Sequence, residues 1–437
     1  MTTEVPTTKA STVFIATCDM SAQTRGRSVP MSDQEHVLQV GTGWVPADLA
    51  INAFGLISPD NIFGSVGDLR LLPDRNSVVD IPSDSAIPGV RVYLADQVLP
   101  DGSPWNCCPR TFLRQALRDL REQTGLQLAA SFEHEFMVRD SPLTAPFSFA
   151  RFRSGEPFGT DFVQLLDGTG LNPDSWLPEY GAGQYEVTLG AANGLIAADR
   201  AILLRELVRD LARRRGLRVT FAPLLEPGGV GNGVHVHLFL RDAEGGPAFW
   251  DPGRPGRLSR LGARFAAGIL QHAAALTAVT APSVASFLRL VPHRWSAGGI
   301  FLADRNREAL LRICPLVSLG GRDPAGQLRL EYRGCDATAN PWLVLGILVR
   351  AALEGIRHDY TEPVVFSEAA TDVDLASVPA LPKSLEEALA ALEADATVRS
   401  WFHPDLLATH LSVKRSELAT VAHLDEAGRC HAIADVY

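Results

Sequence analysis

The sequence predicts an α+β protein, with a small β-rich N-terminal domain at residues 1–105 and a larger domain of helices and strands at residues 106–437. Before residue 100 the apolar runs are short and are separated by clusters of Gly, Pro, Asp and Asn, a pattern typical of strands and turns. After residue 109 long segments with helical periodicity alternate with strand-like runs, so this part is α+β or α/β. The turn-rich stretch at 99–104 lies between the two patterns.

The individual elements follow from the same patterns. In the first domain, strands are predicted at 13–16, 37–40, 68–72 and 90–94. In the second domain, helices are predicted at 110–124, 197–215, 257–279, 341–357 and 384–396. The first two of these helices end at a glycine, which is a common C-cap, and the last begins with a Ser-x-x-Glu capping box.

Composition narrows the class of protein. The chain has 437 residues, of which 46% are hydrophobic and 21% are charged, which is too apolar for a disordered protein. The formal net charge of −10 argues against nucleic acid as a partner. None of the six cysteines forms a C-x-x-C pair, and neither a signal peptide nor a membrane span is recognisable, which favours a cytoplasmic protein with reduced thiols.

Three predicted strands carry ionisable residues at alternate positions: Glu133 and Glu135, then His235 and His237, then Arg329, Glu331 and Arg333. Because side chains alternate along a strand, each set projects from one face, while the other face is apolar. An ordinary solvated face explains any one strand. All three together carry only metal-ligand and anion-binding types, which favours a functional site.

The chemistry of this set favours a hard cation and an anionic substrate. Glu179 and Glu186 add two carboxylates around a Gly-rich turn, and oxygen-rich ligands suit Mg²⁺ or Mn²⁺ better than structural zinc. Arginines are dense nearby, and their planar fork binds carboxylate and phosphate. Cations and arginines together indicate phosphoryl transfer, although no P-loop or kinase motif is present.

The motifs occur in a recognisable order: E-x-E at 133–135, G-Q-Y-E at 183–186, G-N-G-x-H-x-H at 231–237, R-L-V-P at 289–292, N-R-x₄-R at 306–312 and R-L-E-Y-R at 329–333. This series resembles the glutamine synthetase family, type I branch, over most of the chain. The resemblance implies a β-grasp N-terminal domain and a catalytic domain whose antiparallel sheet is lined by metal ligands. It also implies a homo-oligomer, usually a dodecamer of two stacked hexameric rings with active sites shared between subunits.

Residue roles are carried over from the resemblance motif by motif. It implies that one divalent cation is held by Glu135, Glu179 and Glu186, and a second by Glu133, His235 and Glu331. It implies contacts to ATP from His237, Arg307, Arg312 and Arg329, and contacts to glutamate from Gly231, Arg289 and Arg333. The implied catalytic positions are Arg307, Trp295 and Asp68, the last reaching into a neighbouring subunit's site.

The resemblance implies a two-step ligation, in which the γ-carboxylate of glutamate takes the γ-phosphoryl group of ATP and an amine then displaces phosphate. Ammonia-using members carry an acid shortly after R-L-V-P, in a flap that closes the site, but Trp295 stands there. A second ammonium-binding motif, F-D-G-S-S, is missing from residues 40–75.

These departures favour an organic amine, alkyl or aromatic, over ammonia, because a Trp offers an apolar wall or a cation–π face. A γ-glutamylamide synthetase is therefore expected. A polyamine substrate and a true glutamine synthetase remain alternatives. A catalytically silent relative is disfavoured because all six metal-ligand positions are retained.

Overall fold

The computed structural model describes residues 10–84 and 87–437. The strands are β1 Thr12–Cys18, β2 Thr24–Pro30, β3 Thr42–Trp44, β4 Leu69–Pro73, β5 Val79–Ile81, β6 Val90–Val98, β7 Gln127–Val138, β8 Pro173–Pro178, β9 Gln184–Leu189, β10 Ala192–Asn193, β11 Val219–Thr220, β12 Val234–Arg241, β13 Gly299–Asp304, β14 Ala309–Ile313, β15 Leu330–Cys335 and β16 Val365–Phe366. The α-helices are α1 Gln34–Val40, α2 Pro109–Thr124, α3 Phe149–Ser154, α4 Phe158–Gly168, α5 Gly194–Arg214, α6 Arg260–Gln271, α7 Ala273–Thr280, α8 Ser286–Arg289, α9 Pro324–Gln327, α10 Pro341–Arg357, α11 Leu385–Ala394, α12 Ala396–Ser400, α13 Pro404–Val421 and α14 Glu426–Val436.

The N-terminal sheet has the order β2-β1-β6-β4-β3, with β5 paired to β6. The hairpin β1–β2 is antiparallel, whereas β1 and β6 run parallel, which gives the expected β-grasp arrangement. Helix α1 packs on the sheet through Val37 and Leu38. The strand predicted at 37–40 was therefore wrong. Two consecutive buried residues followed by exposed Gln39 and Val40 fit one helical face, and a short apolar run does not distinguish helix from strand.

The larger sheet has the order β16-β13-β14-β15-β12-β7-β9-β8, and β10 and β11 also pair with β7. It is antiparallel except where β13 runs parallel to β14 and β16. Phe132 and Phe136 of β7 are fully buried in the main hydrophobic core beneath α5. The alternation predicted for β7 is confirmed, because its other face carries Glu133 and Glu135.

The long helices agree with the sequence prediction, except that one predicted helix is divided into two. The helix predicted at 341–357 is confirmed as α10, whereas the one predicted at 257–279 forms two helices divided at His272. The His272 ring lies between Asp395 and Tyr360, with Nδ1 2.6 Å from Asp395 Oδ2 and Nε2 3.1 Å from the Tyr360 hydroxyl. No helix among residues 10–84 and 87–437 is long and apolar enough to cross a bilayer.

A buried ion-pair network joins the two sheets. Arg110 of α2 binds Asp199 of α5 through both Nε, at 3.0 Å, and Nη2, at 2.8 Å. The same guanidinium reaches Asp74 and Asp96 of the N-terminal domain at 2.8 and 3.1 Å. Trp342 Nε1 donates to Asp199 Oδ1 at 2.7 Å. This network fixes the N-terminal sheet against the helices that support β7.

Candidate active site

Strand pairing brings the predicted ionisable residues together on one face of the larger sheet. Three cross-strand pairs define the cluster: Glu133 opposite His235, Glu135 opposite Glu186, and His237 opposite Glu331. Residues directly opposite each other on antiparallel strands have Cβ atoms about 4.5–5.5 Å apart, so β7, β9, β12 and β15 each add ligands to a common centre.

The centre of the cluster is the Glu133 carboxylate. Its Oε1 lies 2.6 Å from His235 Nδ1, and its Oε2 lies 3.3 Å from His237 Nε2. His235 Nδ1 is also 3.5 Å from Glu331 Oε1. Donor atoms of Glu133, His237 and Glu331 all lie within 4.8 Å of one another, so a single cation could bind between them. The imidazole in this group is that of His237, whereas the resemblance implied His235 as the ligand beside Glu133 and Glu331.

The two imidazoles have opposite electrostatic environments. Burial and the charge of Arg333 lower the pKa of His235, which keeps it neutral, as a metal ligand must be. Burial alone would also lower the pKa of His237, but hydrogen bonds with Cys314 and Glu133 raise it to about 10. A cationic His237 suits a contact with phosphate oxygens.

Two arginines neutralise Glu331. Arg312 Nη1 donates to Glu331 Oε2 at 2.8 Å, and Arg333 Nη1 donates to Oε1. Burial opposes ionisation of Glu331, yet the charge of Arg333, with further contributions from the imidazoles and Arg312, lowers its pKa to about 2. Three of the five N–H groups of Arg333 are bound within the chain, since Nε and Nη2 also donate to the carbonyls of Arg307 and Trp295.

In a second group of carboxylates, Glu135, Glu179 and Glu186, neighbouring positive charges do not outweigh the effect of burial. Burial raises the pKa of Glu135 to about 7. A hydrogen bond from Gly233 N–H, at 2.6 Å, acts in the opposite direction but is the weaker effect. Burial and the neighbouring carboxylates raise the pKa of Glu186 to about 10, and burial also raises that of Glu179. Buried carboxylates of this kind require a proton or a cation. Their oxygen donors therefore fit a hard divalent ion.

Two buried residues that sequence analysis missed support these ligands. Arg151 Nη1 donates to the carbonyls of Glu179, Tyr180 and Gly181, each at 2.7 Å, and so fixes the turn that carries Glu179. Gln184 Nε2 donates to Gly231 O at 2.8 Å and thereby connects this turn to the one before β12. Only the tertiary structure identifies Arg151, which lies outside every motif.

The third missed residue is a cysteine. Cys314 follows β14, and its thiol lies 3.7 Å from His237 Nδ1 and 3.6 Å from Glu331 Oε2. No motif in the sequence indicated a role for Cys314. A second grouping of donor atoms, Cys107, His403 and Asp405, has a simpler explanation, because His403 Nδ1 caps α13 by accepting from Asp405 N–H.

The proposed glutamate ligands meet at a glycine. A Cβ on Gly231 would come within 2.6 Å of Arg289 Cγ, so the Arg289 side chain requires glycine at this position. Arg289 is buried, and its Nη2 donates to Cys335 O at 2.8 Å. Arg289 Nε is buried and has no hydrogen-bond partner among the described residues.

The remaining predicted site residues lie outside the carboxylate cluster. Arg307 is exposed, and its positive charge offsets part of the rise that burial causes in the pKa of Glu179. The Arg329 guanidinium stacks on Phe239 at 5.8 Å from the ring centroid. Trp295 is 70% exposed. Asp68 is exposed just before β4, and within residues 10–84 and 87–437 no hydrogen bond or ion pair joins it to the carboxylate cluster.

Comparison with known families identifies this arrangement. The family model described as "Glutamine synthetase, catalytic domain" matches residues 106–427, and the one described as "Glutamine synthetase N-terminal domain" matches residues 4–105. The chain belongs to the glutamine synthetase family. It is accordingly an ATP-dependent ligase, and the resemblance drawn from its motifs is confirmed.

Individual relatives in the glutamine synthetase family carry different names. The γ-glutamylpolyamine synthetase GlnA3 of Streptomyces coelicolor is 32% identical and aligns over 95% of this chain and 91% of its own length. The glutamine synthetase of Thermus thermophilus is 30% identical over 80% of this chain and 81% of its own. A solved structure described as a novel glutamine synthase homolog has a TM-score of 0.91 and 42% identity, with full coverage of both chains. The GmaS/ADP complex has a TM-score of 0.82 and 25% identity, with 95% coverage of each.

Proposed function

We propose that this ligase joins the γ-carboxylate of glutamate to an organic primary amine, alkyl or aromatic, and forms a γ-glutamylamide. The observation that carries the proposal is Trp295, an exposed indole at the position where ammonia-using members have an acid. The similarity to a protein named γ-glutamylpolyamine synthetase supports an organic amine. The alternative is a true glutamine synthetase, which is supported by relatives of that name at about 30% identity, such as the one from Thermus thermophilus.

The proposed reaction has two steps. The γ-carboxylate of glutamate takes the γ-phosphoryl group of ATP, which yields γ-glutamyl phosphate and ADP. The amine nitrogen then attacks the acyl carbon, the bond from that carbon to the phosphate oxygen breaks, and the nitrogen loses a proton. A cationic His237 and the exposed Arg307 would contact the phosphate oxygens, with Arg312 and Arg329 assigned to ATP.

The cations are assigned to the two carboxylate groups. Two Mg²⁺ or Mn²⁺ ions would be held by Glu135, Glu179 and Glu186 and by Glu133, His235 and Glu331. Such ions would neutralise charge that develops on the transferred phosphoryl oxygens. The raised pKa values of Glu135 and Glu186 support this assignment, because a cation would replace the protons that these carboxyls otherwise need.

Glutamate would bind near Gly231, with its carboxylate on Arg289, whose Nε has no partner within the described residues. Arg333 would contact glutamate beside Arg289.

We further propose that Asp68 completes the active site of a neighbouring subunit in a ring-shaped homo-oligomer. We also propose that the N-terminal domain ends at Trp105. Six buried free cysteines support placement in a reducing cytoplasm.

One assay tests the proposed function. Phosphate release would be measured with ATP, Mg²⁺ and glutamate, with ammonium, butylamine, aniline or putrescine as the acceptor. The proposal expects a large preference for at least one organic amine. A preference for ammonium over every amine would favour glutamine synthetase, and no glutamate-dependent release with any acceptor would indicate a silent relative.

A further inference from the structure

The segment 291–298, which follows α8 and carries Trp295, adopts a constrained backbone. His293 and Trp295 have positive φ angles of 62° and 55°. Residues other than glycine rarely adopt positive φ angles. A bulky residue with such an angle indicates that the surrounding structure enforces the backbone conformation. Residues 292–295 are exposed, so core packing cannot supply that constraint.

The constraint comes from the carboxylate of Glu308. His293 N–H donates to Glu308 Oε2 and Trp295 N–H donates to Oε1, each at 2.9 Å. Gly298 N–H donates to the Glu308 carbonyl, also at 2.9 Å. Glu308, which immediately precedes β14, therefore holds three backbone N–H groups of the segment. Hydrogen bonds to a charged acceptor are worth about twice those to a neutral one.

The same segment is connected to the catalytic cluster on two sides. Arg333 Nη2 donates to Trp295 O at 2.9 Å, while Nη1 of the same guanidinium binds Glu331. Arg294 Nη1 donates to Gly228 O at 2.7 Å, in the turn that precedes β12. The segment thus spans from the Glu331 side of the cluster to the turn beside Arg289 and Gly231.

We propose that Glu308 is a positioning residue that holds this segment over the reacting centre and keeps water away from γ-glutamyl phosphate. The inference rests on the proposed function. If the segment moved away, water could attack the acyl carbon in place of the amine, break the bond from that carbon to the phosphate oxygen and release glutamate and phosphate. ATP would then be consumed without amide formation.

The first test does not depend on activity. In Glu308→Gln, one acceptor oxygen becomes an NH₂ group, so one of the two side-chain bonds to the segment is lost. Hydrogen exchange of peptides covering 291–298 should then be roughly tenfold faster or more, with other peptides unchanged. The matched control is Glu368→Gln, which removes an exposed carboxylate that pairs with Arg305 at 2.9 Å. Unchanged exchange at 291–298 in Glu308→Gln would overturn the proposal.

The second test measures coupling, as amide formed per ADP released with the best acceptor of the wild type. We expect a ratio near one in the wild type and in Glu368→Gln, and a several-fold lower ratio in Glu308→Gln, with new amine-independent phosphate release. A fully coupled Glu308→Gln enzyme would refute the positioning role. So would a variant that loses ligation without gaining hydrolysis, because the loss would then not come from water reaching γ-glutamyl phosphate. A wild type inactive with every acceptor refutes the proposed function instead, and the exchange result then decides the role of Glu308.

Discussion

The thiol of Cys314 lies 3.7 Å from His237 Nδ1 and 3.6 Å from Glu331 Oε2. It joins an imidazole on β12 to a carboxylate on β15, with the sulfur accepting from the ring N–H and the S–H donating to the carboxylate. This arrangement turns His237 Nε2 toward Glu133 Oε2, 3.3 Å away. The thiol thereby orients the ring that we assign to phosphate.

We predict that Cys314→Ala lowers kcat/KM for ATP by about 10- to 100-fold, the usual effect of removing a partner that orients a ligand. Cys314→Ser keeps a donor and an acceptor and should retain most activity. Steady-state kinetics with ATP and with glutamate would check this, and the KM for glutamate should change little. Cys430→Ala, which removes a buried thiol elsewhere, is the control. Equal losses in the Ala and Ser variants would contradict the orienting role.

Metal binding should depend on pH through Glu135 and Glu186. Because burial raises the pKa of Glu135 from 4.5 to about 7, the folded protein holds this proton more tightly than the unfolded chain does. Without a cation, the free energy of unfolding should therefore fall as pH rises from about 4.5 to 7. A divalent cation displaces the proton, so its stabilising effect should grow over the same range.

The measurement is the shift in Tm caused by Mn²⁺ relative to EDTA, at pH 5 and at pH 8. We expect a clearly larger shift at pH 8 in the wild type and a strongly reduced shift in Glu135→Gln. Glu122→Gln, at an exposed position on α2, serves as the control. A shift of equal size at both pH values would count against the carboxylates as the cation site.

The Arg110–Asp199 pair predicts a stability effect far from the cation site. Asp199→Ala leaves a buried guanidinium with only Asp74 and Asp96, and Trp342 Nε1 loses its acceptor. We expect a loss of about 3 kcal/mol in the free energy of unfolding, near the lower end for a broken buried pair. Urea denaturation would measure it. Asp80→Ala, which breaks the exposed pair with Arg91, should cost at most about 1 kcal/mol, and equal losses would refute the distinction.

The sequence predicted which ionisable residues share one face of the sheet better than it predicted the residues that surround them. Alternation along β7, β12 and β15 placed Glu133, His235 and Glu331 on one face, because a strand has a fixed period of two. Arg329 was expected within the third strand but precedes it. Cys314 and Glu308 gave no signal, since their roles come from contacts with segments that meet only in the folded chain. The break at His272 was missed for the same reason.

The last prediction concerns amine choice. If Trp295 lines the amine site, ammonium should be a poor acceptor, because no acid stands at this position to hold the cation. Each buried methylene contributes about 0.8 kcal/mol, so a butyl or phenyl group could favour an organic amine by about 3 kcal/mol, or more than a hundredfold in kcat/KM. Trp295→Glu should shift the preference toward ammonium and lower activity on the organic amine.

The comparison requires kcat/KM for ammonium, butylamine, aniline and putrescine in the wild type, Trp295→Glu and Trp295→Phe. Trp295→Phe keeps an aromatic wall and should keep the wild-type order of preference. The backbone of Trp295 should stay in place in both variants, because its N–H and carbonyl bind Glu308 and Arg333 whatever the side chain is. A change in preference can therefore be attributed to the side chain. A wild type that uses ammonium at least as well as every amine would contradict the γ-glutamylamide assignment and favour glutamine synthetase.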